Sequence, residues 1–473
     1  MTARMNRRHF TALLGSSAVF APSIVRAQSE RMRQFEGTTL NMLGVQFAHH
    51  DPLWNQIPEF EAATGIKINL EFAPFENARE KTLLDMSSRT GRFDLFAVDI
   101  MWLAEYAAAG YLEPVAKYIN NPDLTAEDYD VDDFVARVFS GTGVYEDVMY
   151  NVPYDCGTVG NMFRADLIEA AGLSVPSRFD GTFTADKMVE ICAALQDASQ
   201  GRAGYVTGPQ RWFWGWMFTP FLYAWQDPAN AGNEFVDADW NVTVNNENNL
   251  AALEYYLGLR QFTPDDDLNY GYGEQLSVYQ QGNAGGSITY SGFIGSHYED
   301  PALPIAGKNV ALHTPIGPSG RTDPFFGSWG LSVSVDSKAK EAAWLFIQWI
   351  THKDRLTKAA IGGSPAVRHS TFQNAEYQAA QPWGLELYDY MVNTANPDER
   401  IRVPEWAEIS EIMGLYGNRA WGNEITAEEA LAGIEKDMKD AFRRGGYYRD
   451  GANNPKQLWR DLSYYDRAPS EWG

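Results

Sequence analysis

The chain has 473 residues, 45% hydrophobic and 21% charged, which are ordinary values for a globular protein with two domains or two large lobes. Its formal net charge is −24, and a surface this acidic repels nucleic acid and anionic lipid. We therefore expect no nucleic-acid partner, and instead a neutral or cationic small molecule or a protein with a basic docking face.

The first 27 residues have the pattern of an export signal. Arg7 and Arg8 precede a short apolar run, which ends in Val25-Arg26-Ala27, a sequence typical of a cleavage site. This predicts twin-arginine export to a bacterial periplasm, in preference to an ordinary N-terminal helix. No cysteine follows the run, so no lipid anchor is predicted there. No later stretch reaches the roughly 18 apolar residues of a membrane span.

From residue 40 onward, short apolar runs alternate with amphipathic stretches. The runs, which predict strands, are 40–45, 66–72 and 93–99, and the stretches between and after them, which predict helices, are 53–65, 76–91 and 101–110. This β-α-β-α-β order requires parallel strands with right-handed crossovers, and such sheets bind ligands beyond the carboxyl ends of their strands. The candidate contacts at these ends are Gln46, Phe47, His49, Asp99 and Trp102.

A second block of helices and strands begins near residue 150. It contains a tryptophan-rich segment, a glycine-rich strand within 282–295, a strand within 326–337 and an amphipathic helix within 340–352. No repeat, low-complexity tract or long linker divides the chain. We therefore expect two lobes joined by short crossings.

Six segments occur in an order that indicates a known family. They include PEFEAATGIKINLEF, VPYDCGTVGNMFRADLIEAAGLSVPSRFDG, GNAGGSITYSG, GSWGLSVSVDSKAKEAAWLFIQWIT and GGSPAVR. Over most of residues 40–370 the sequence resembles the family 1 extracellular solute-binding proteins of ABC importers. The resemblance implies an α/β fold of two lobes, each a mixed sheet flanked by helices.

The resemblance also implies three hinge crossings, near Tyr154-Asp155, near Tyr290-Ser291 and just after Val335. Residues 28–154 and 291–335 would then form lobe one. Residues 155–290 and 336–473 would form lobe two, although the tail beyond about 370 fits the family pattern less well.

Motifs for catalysis or cofactor binding are scarce. The sequence contains no G-x-S-x-G, phosphate-loop, dinucleotide G-x-G-x-x-G or H-E-x-x-H pattern, and we predict no cofactor. Asp99 and Asp155 are the two acids placed at the cleft. They could serve an exported carbohydrate-active enzyme, or they could accept hydrogen bonds from sugar hydroxyls without any raised pKa.

Neither the histidines nor the cysteines predict a metal site. Adjacent side chains diverge on a strand, so His49 is predicted to contact a ligand while His50 lies at the surface. Cys156 and Cys192 could form a disulfide bond in an oxidising compartment, or they could remain two buried thiols.

Aromatic residues at strand ends and glycine-flanked turns predict a site that stacks against a sugar, because an indole ring covers the apolar face of a sugar ring. The candidates are Trp102, Tyr154, Trp212, Trp214, Tyr290 and Trp329, with Arg368 as a rim donor or a structural ion-pair member. In RWFWGWMF, residues 211–218, a strand would align all three tryptophans, whereas a helix would align only Trp212 and Trp216. We place Trp212 and Trp214 in the stacking wall and Trp216 in the core.

These features predict a monomeric periplasmic protein that captures a sugar, polyol or short glycoside between two lobes and delivers it to ABC permease subunits. It is not expected to be an enzyme. The alternatives are the carbohydrate-active enzyme and a binding protein for a cationic osmolyte held by aromatic faces.

Overall fold

A computed structural model of the chain describes residues 31–177, 180–226, 234–237, 239–291, 294–322, 326–448 and 462–472. The predicted export signal, residues 1–27, lies outside the described residues. None of the helices within the described ranges has the length and apolar character that a bilayer crossing requires.

Ten strands and eighteen α-helices make up the regular structure of the described residues. The strands are β1 (Thr39–Val45), β2 (Lys67–Ala73), β3 (Leu95–Asp99), β4 (Val144–Tyr145), β5 (Val148–Met149), β6 (Asn151–Gly157), β7 (Val159–Arg164), β8 (Gly286–Tyr290), β9 (Asn309–Leu312) and β10 (Gly327–Val333). The helices are α1 (Asp51–Trp54), α2 (Ile57–Thr64), α3 (Phe75–Ser88), α4 (Ile100–Ala108), α5 (Ala116–Ile119), α6 (Ala136–Gly143), α7 (Ala165–Ala170), α8 (Ala185–Leu195), α9 (Arg211–Trp225), α10 (Glu247–Gly258), α11 (Tyr272–Gln280), α12 (Lys340–Ile350), α13 (Lys353–Ile361), α14 (His369–Phe372), α15 (Ala375–Ala380), α16 (Gly384–Asn393), α17 (Trp406–Trp421) and α18 (Ala427–Gly445).

The first lobe is built on a five-stranded mixed sheet in the order β2-β1-β3-β10-β6. Strand β1 pairs in parallel with β2 and with β3, which confirms the predicted β-α-β-α-β unit. Strand β10 then runs antiparallel to both β3 and β6. The carboxyl ends of β1 and β3 therefore lie at the same edge of the sheet as the start of β10 and the end of β6.

The second lobe contains a smaller antiparallel sheet in the order β8-β7-β9. Its largest helices are α9, α17 and α18, and α9 packs closely against α17. Glycines permit this approach: a Cβ at Gly417 would lie 2.1 Å from the Trp214 ring, and one at Gly414 would lie only 1.8 Å from the Arg211 carbonyl oxygen. The tryptophan-rich segment is therefore a buried helix in the middle of the second lobe.

Each lobe has its own hydrophobic core, and the division differs from the predicted one. Residues 342–395 pack in the first core, where Phe346 contacts Phe60 and Trp344 stacks on Tyr118. Residues 294–312 pack in the second core. The sequence placed both segments in the opposite lobes, because their apolar patterns identify buried faces but do not identify which core covers them.

The observed positions of the crossings between the lobes therefore differ from the predicted set. The chain passes from the first core to the second after Gly157, close to the first predicted crossing, and returns between Leu312 and Phe326. It crosses again between Ala395 and Ile401, and the C-terminal residues 462–472 pack against the first lobe through the Arg137–Asp466 ion pair. The predicted crossings at Tyr290-Ser291 and after Val335 are not found there.

The two cysteines are free and buried, Cys156 in the first core and Cys192 in the second. Of the two alternatives that the sequence left open, the structure contains the separate thiols.

Candidate functional site

Three adjacent strands place two carboxyl groups and an indole side by side at one edge of the first-lobe sheet. Trp329 of β10 pairs with Asp99 of β3 on one side and with Asp155 of β6 on the other. All three side chains are buried. Asp99 also begins α4, since its carboxylate accepts a hydrogen bond of 2.8 Å from the Met101 amide.

Two histidines reach Asp155 of β6 from the carboxyl end of β1, although β3 and β10 lie between these two strands in the sheet. Residues 48–50, directly after β1 and Phe47, form a turn of 3-10 helix. The Nε2 atoms of His49 and His50 lie 3.3 Å and 2.7 Å from the same oxygen of Asp155, Oδ2. The predicted divergence of the two histidines on a strand is therefore wrong, and His50 is buried, not at the surface.

The second lobe supplies hydroxyl and imidazole groups that cover this cluster. The Tyr290 hydroxyl donates to Asp155 Oδ1 and lies within bonding distance of the Gly327 carbonyl oxygen, at 3.1 Å in each case. His297 lies with its ring centre 6.1 Å from that of His49, and its Nε2 is 2.8 Å from the Tyr272 hydroxyl. Both lobes therefore contribute to one continuous polar cluster.

Burial controls the charge states in this cluster. Burial lowers the pKa of His49 to about 4, with a further contribution from His50, so His49 is neutral near pH 7. Burial also raises the pKa of Asp155, but the hydrogen bonds from the two histidines outweigh it and hold that pKa well below its usual range. Since an ionised carboxylate can only accept hydrogen bonds, the neutral His49 donates its Nε2 proton to Asp155.

Asp99 behaves differently from Asp155. Burial raises its pKa to about 7, against the opposing effects of Arg400 and of the Met101 amide. Glu399, beside Arg400, shows the same effect, since burial raises its pKa to about 7 despite the ion pair. Arg400 and Glu399 belong to the crossing between Ala395 and Ile401, so this crossing brings charged groups to the first-lobe sheet edge.

Aromatic side chains fill the space between the lobes. Phe75, the first residue of α3, lies at the centre of this ring cluster, with its ring centre 5.3–6.0 Å from those of five neighbours. The first lobe contributes Phe47, Trp102 and Trp329, and the second lobe contributes Trp212 and Trp216. Tyr272 joins the cluster through an edge contact of 6.1 Å with Phe47.

The tryptophan-rich segment is helical, and this reverses two of the predicted roles. Trp212 and Trp216 lie four residues apart on one face of α9 and reach Phe75, and Trp216 also stacks on Tyr290 at 5.8 Å. Trp214 lies on the opposite face, fully buried against Tyr256 and Trp421 in the second core. The prediction of Trp214 in the wall and Trp216 in the core followed neither strand nor helix geometry, and the helix places the two residues the other way round.

Three further candidates lie outside the ring cluster. Arg368 is fully buried in the first lobe, donates to the carbonyl oxygens of Thr351 and Asp130, and stacks over Phe134, so it is a structural residue. Tyr154 packs behind His50, and Gln46 is exposed at the end of β1.

The structure thus brings together Phe47, His49, Asp99, Trp102, Asp155, Trp212, Tyr290 and Trp329 of the predicted set. Sequence reasoning missed His50, Phe75, Trp216, Tyr272 and His297. Phe75 follows the carboxyl end of β2, so the rule that identified Phe47 and Asp99 could have identified it as well. The others carry no local signal, because long-range packing alone positions them.

Comparison with known proteins agrees with this architecture. Residues 49–354 match the family described as bacterial extracellular solute-binding protein. A mannitol-binding protein of Pseudomonas aeruginosa is 26% identical over 391 residues, which are 78% of this chain and 85% of that protein. A probable amino-acid ABC transporter periplasmic-binding protein of Sinorhizobium fredii is 24% identical over 467 residues, which are 94% of this chain and 100% of that protein.

A solved structure shares the fold. The ABC transporter solute-binding protein from Agrobacterium radiobacter K84, in complex with ribitol, superimposes with a TM-score of 0.77 and 25% sequence identity. The superposition covers 86% of this chain and 99% of that one. The two-lobed architecture is therefore the one expected from the sequence.

Proposed function

The chain belongs to the bacterial extracellular solute-binding proteins, and from this premise we propose that it captures a polyol or a sugar between its lobes for an ABC importer. One observation carries the proposal: both lobes present aromatic rings to the same space, and buried carboxyl groups lie at its base. Members of the family are binding proteins, and binding requires no covalent step.

The ring cluster and the carboxyl groups suit the two surfaces of a polyol. The C–H groups of a polyol stack on flat rings such as Trp216 and Trp329, while its hydroxyls donate to carboxylates such as Asp99. A hydroxyl that loses its buried partner costs about 1–3 kcal/mol, so such a site discriminates between hydroxyl patterns. The relatives described as binding mannitol and ribitol support this class of solute.

Closure of the lobes would complete the site. Tyr290 of the second lobe contacts Asp155 of the first, and Trp216 of the second lobe contacts Phe75 of the first. A solute that contacts both lobes stabilises the closed form, which the membrane subunits of the importer would then recognise.

The family indicates a location outside the cytoplasmic membrane, and we extend this to twin-arginine export. The paired Arg7 and Arg8 support the extension. Replacing both arginines with lysine is expected to retain the protein in the cytoplasm of an expressing bacterium. Unchanged periplasmic recovery of that variant would contradict this route.

A cationic solute, such as an amine or osmolyte, is the second candidate. Five aromatic rings surround that of Phe75 between the lobes, and a cation is attracted to ring faces by about 0.5–2 kcal/mol per contact. The acidic surface of the protein favours the same charge.

A thermal-shift screen separates these candidates, because a ligand that binds only the folded chain raises the melting temperature. We expect mannitol, ribitol or a related sugar to raise it, and calorimetry to give one site per chain. If choline and betaine raise it and no polyol or sugar does, the polyol assignment is wrong. Recovery of cleaved products from added oligosaccharides would instead support an enzyme.

Strand β3 offers a matched pair of variants for the same measurement. Asp99 lies at its carboxyl end, in the cleft, while Asp94 immediately precedes its other end and accepts hydrogen bonds from Asn41 and Ser337. At pH 8, above the raised pKa of about 7, Asp99 is mostly ionised. At that pH we expect Asp99→Asn to weaken solute binding at least tenfold, since a hydrogen bond to a charged group contributes about 1.5–3 kcal/mol. Asp94→Asn should leave the affinity unchanged.

A further inference from the structure

Two imidazole nitrogens and a carboxylate converge at the base of the cleft, and we propose that His49, His50 and Asp155 form a binding site for a divalent transition-metal ion. One ligand atom from each of the three side chains lies within 4.8 Å of the other two. All three residues are at most 1% exposed. They come from two segments of the first lobe, the 3-10 turn after β1 and strand β6, so the cluster does not depend on the position of the second lobe.

The distances suit a small coordination sphere. Zinc binds imidazole nitrogen and carboxylate oxygen at about 2.0–2.2 Å, so two ligand atoms of one tetrahedral ion lie about 3.3 Å apart. His49 Nε2 and Asp155 Oδ2 are 3.3 Å apart. His50 Nε2 is 2.7 Å from the same oxygen, and this pair must separate by about 0.6 Å to admit the ion. Both imidazoles would then carry their proton on Nδ1.

The surroundings hold the ligand groups in place. The Tyr290 hydroxyl donates to Asp155 Oδ1, which leaves Oδ2 directed at the histidines. The Ser364 hydroxyl donates to the His49 carbonyl oxygen at 2.7 Å and ties the 3-10 turn to the start of the segment after α13. A hydrogen bond to a ligating carboxylate, such as that from Tyr290 to Asp155, orients the metal ligand and raises the affinity of the site.

The charge of the site also favours a cation. Within the described residues, the ion-pair partners of Asp155 are the two histidines, and no lysine or arginine pairs with it. A buried carboxylate without a permanent positive partner is costly, and a divalent ion would compensate it. Two imidazoles with one carboxylate suit zinc, cobalt, nickel or copper in preference to magnesium or calcium.

Three protein ligands leave one coordination position for water or for a hydroxyl group. Because Tyr290 and His297 of the second lobe cover the cluster, the ion would enter and leave when the lobes separate. Metal exchange should therefore be slower in the presence of a solute that closes the lobes.

The test uses the full chain after treatment with a chelator, with Zn²⁺ and Co²⁺ as probes. We expect one equivalent of Zn²⁺ by calorimetry, and visible absorption typical of four- or five-coordinate cobalt. His50→Gln and Asp155→Asn should each weaken binding at least about 100-fold, because the loss of an outer partner alone costs 10–100-fold. His369 of α14 is hydrogen-bonded to Tyr388, outside the proposed metal site. The control variant His369→Gln should bind zinc as tightly as the wild type.

Two results would overturn the metal site: no stoichiometric binding of either ion by the wild-type chain, or equal affinity in the His49→Gln/His50→Gln variant. Melting curves without metal show whether each variant is folded. If a variant is unfolded, X-ray absorption at the zinc edge of the wild-type complex decides instead. Scattering from two imidazole rings around the zinc ion supports the site, and a zinc coordination shell without imidazole contradicts it. Since none of these probes contains a solute, failure here leaves the proposed polyol binding untouched.

Discussion

The two faces of helix α9 carry the same residue type into different surroundings. Trp214 packs against Tyr256 and Trp421, fully buried in the second core. Trp216 lies two residues further on and contacts Phe75 and Tyr290 at the junction of the lobes. One tryptophan cluster in the sequence therefore supplies the second core on one face of α9, while its other face lies at the junction of the lobes, where we propose that the solute binds.

The core face should show the largest effect. Trp214→Ala removes a fully buried indole, and we expect the free energy of unfolding to fall by about 4 kcal/mol. Urea unfolding measures this loss. Calorimetry on the remaining folded protein should give unchanged solute affinity, because Trp214 faces Tyr256 and Trp421 on the side of α9 opposite to Phe75. A large loss of affinity with little loss of stability would break the division between the faces.

The end of α9 connects to a pH-sensitive group. Tyr223 of this helix donates to the Glu399 carbonyl oxygen, and burial raises the pKa of the Glu399 carboxyl to about 7 from its ordinary 4.5. The folded state therefore holds this proton more tightly than the unfolded state, and its stabilising effect is lost as the pH rises from 4.5 through 7.

Glu399→Gln isolates this contribution. The free energy of unfolding of the variant, relative to the wild type, should rise by about 3 kcal/mol between pH 4.5 and pH 7.5. Melting curves across this range measure the difference, and Glu341→Gln, at an exposed position of α12, controls for the loss of a charge. A constant difference between variant and wild type would contradict the raised pKa.

The cleft face should affect binding. Trp216→Ala removes a ring that touches both lobes, and we expect the solute dissociation constant to rise about 30-fold, or about 2 kcal/mol. Trp216→Phe keeps a ring and should recover most of this affinity. If the alanine variant binds as well as the wild type, the stacking role of this face is wrong.

The smallest effect is expected at the rim of the cluster. Trp212 is half-buried and reaches Phe75 at 5.3 Å, so Trp212→Ala should weaken solute binding about fivefold, or about 1 kcal/mol. Trp349, which is also half-buried but lies in the first lobe against Phe60, provides the matched control. Trp349→Ala should leave the affinity unchanged, and an equal loss in both variants would show that the effect is not local.

The fold class and the elements of the first β-α-β-α-β unit could be predicted from the sequence alone. Short apolar runs identified the buried strands β1 and β3, and alternation identified β2, because a half-buried strand repeats its apolar residues with period two. Apolar residues at helical spacing identified the first helical stretch between them. The strand-end rule then identified Phe47, His49, Asp99 and Trp102, since the topology of parallel strands decides where their carboxyl ends meet.

Which buried surfaces face each other depends on long-range packing. The apolar face of α12 fits a core equally well in either lobe as far as its sequence shows, and the structure places it in the first. Trp214 and Trp216 are equally apolar, and the glycines of α17 select the face that turns inward. His49 and His50 converge on Asp155 because a 3-10 turn replaces the expected strand, and such long-range contacts leave no periodic pattern in the sequence.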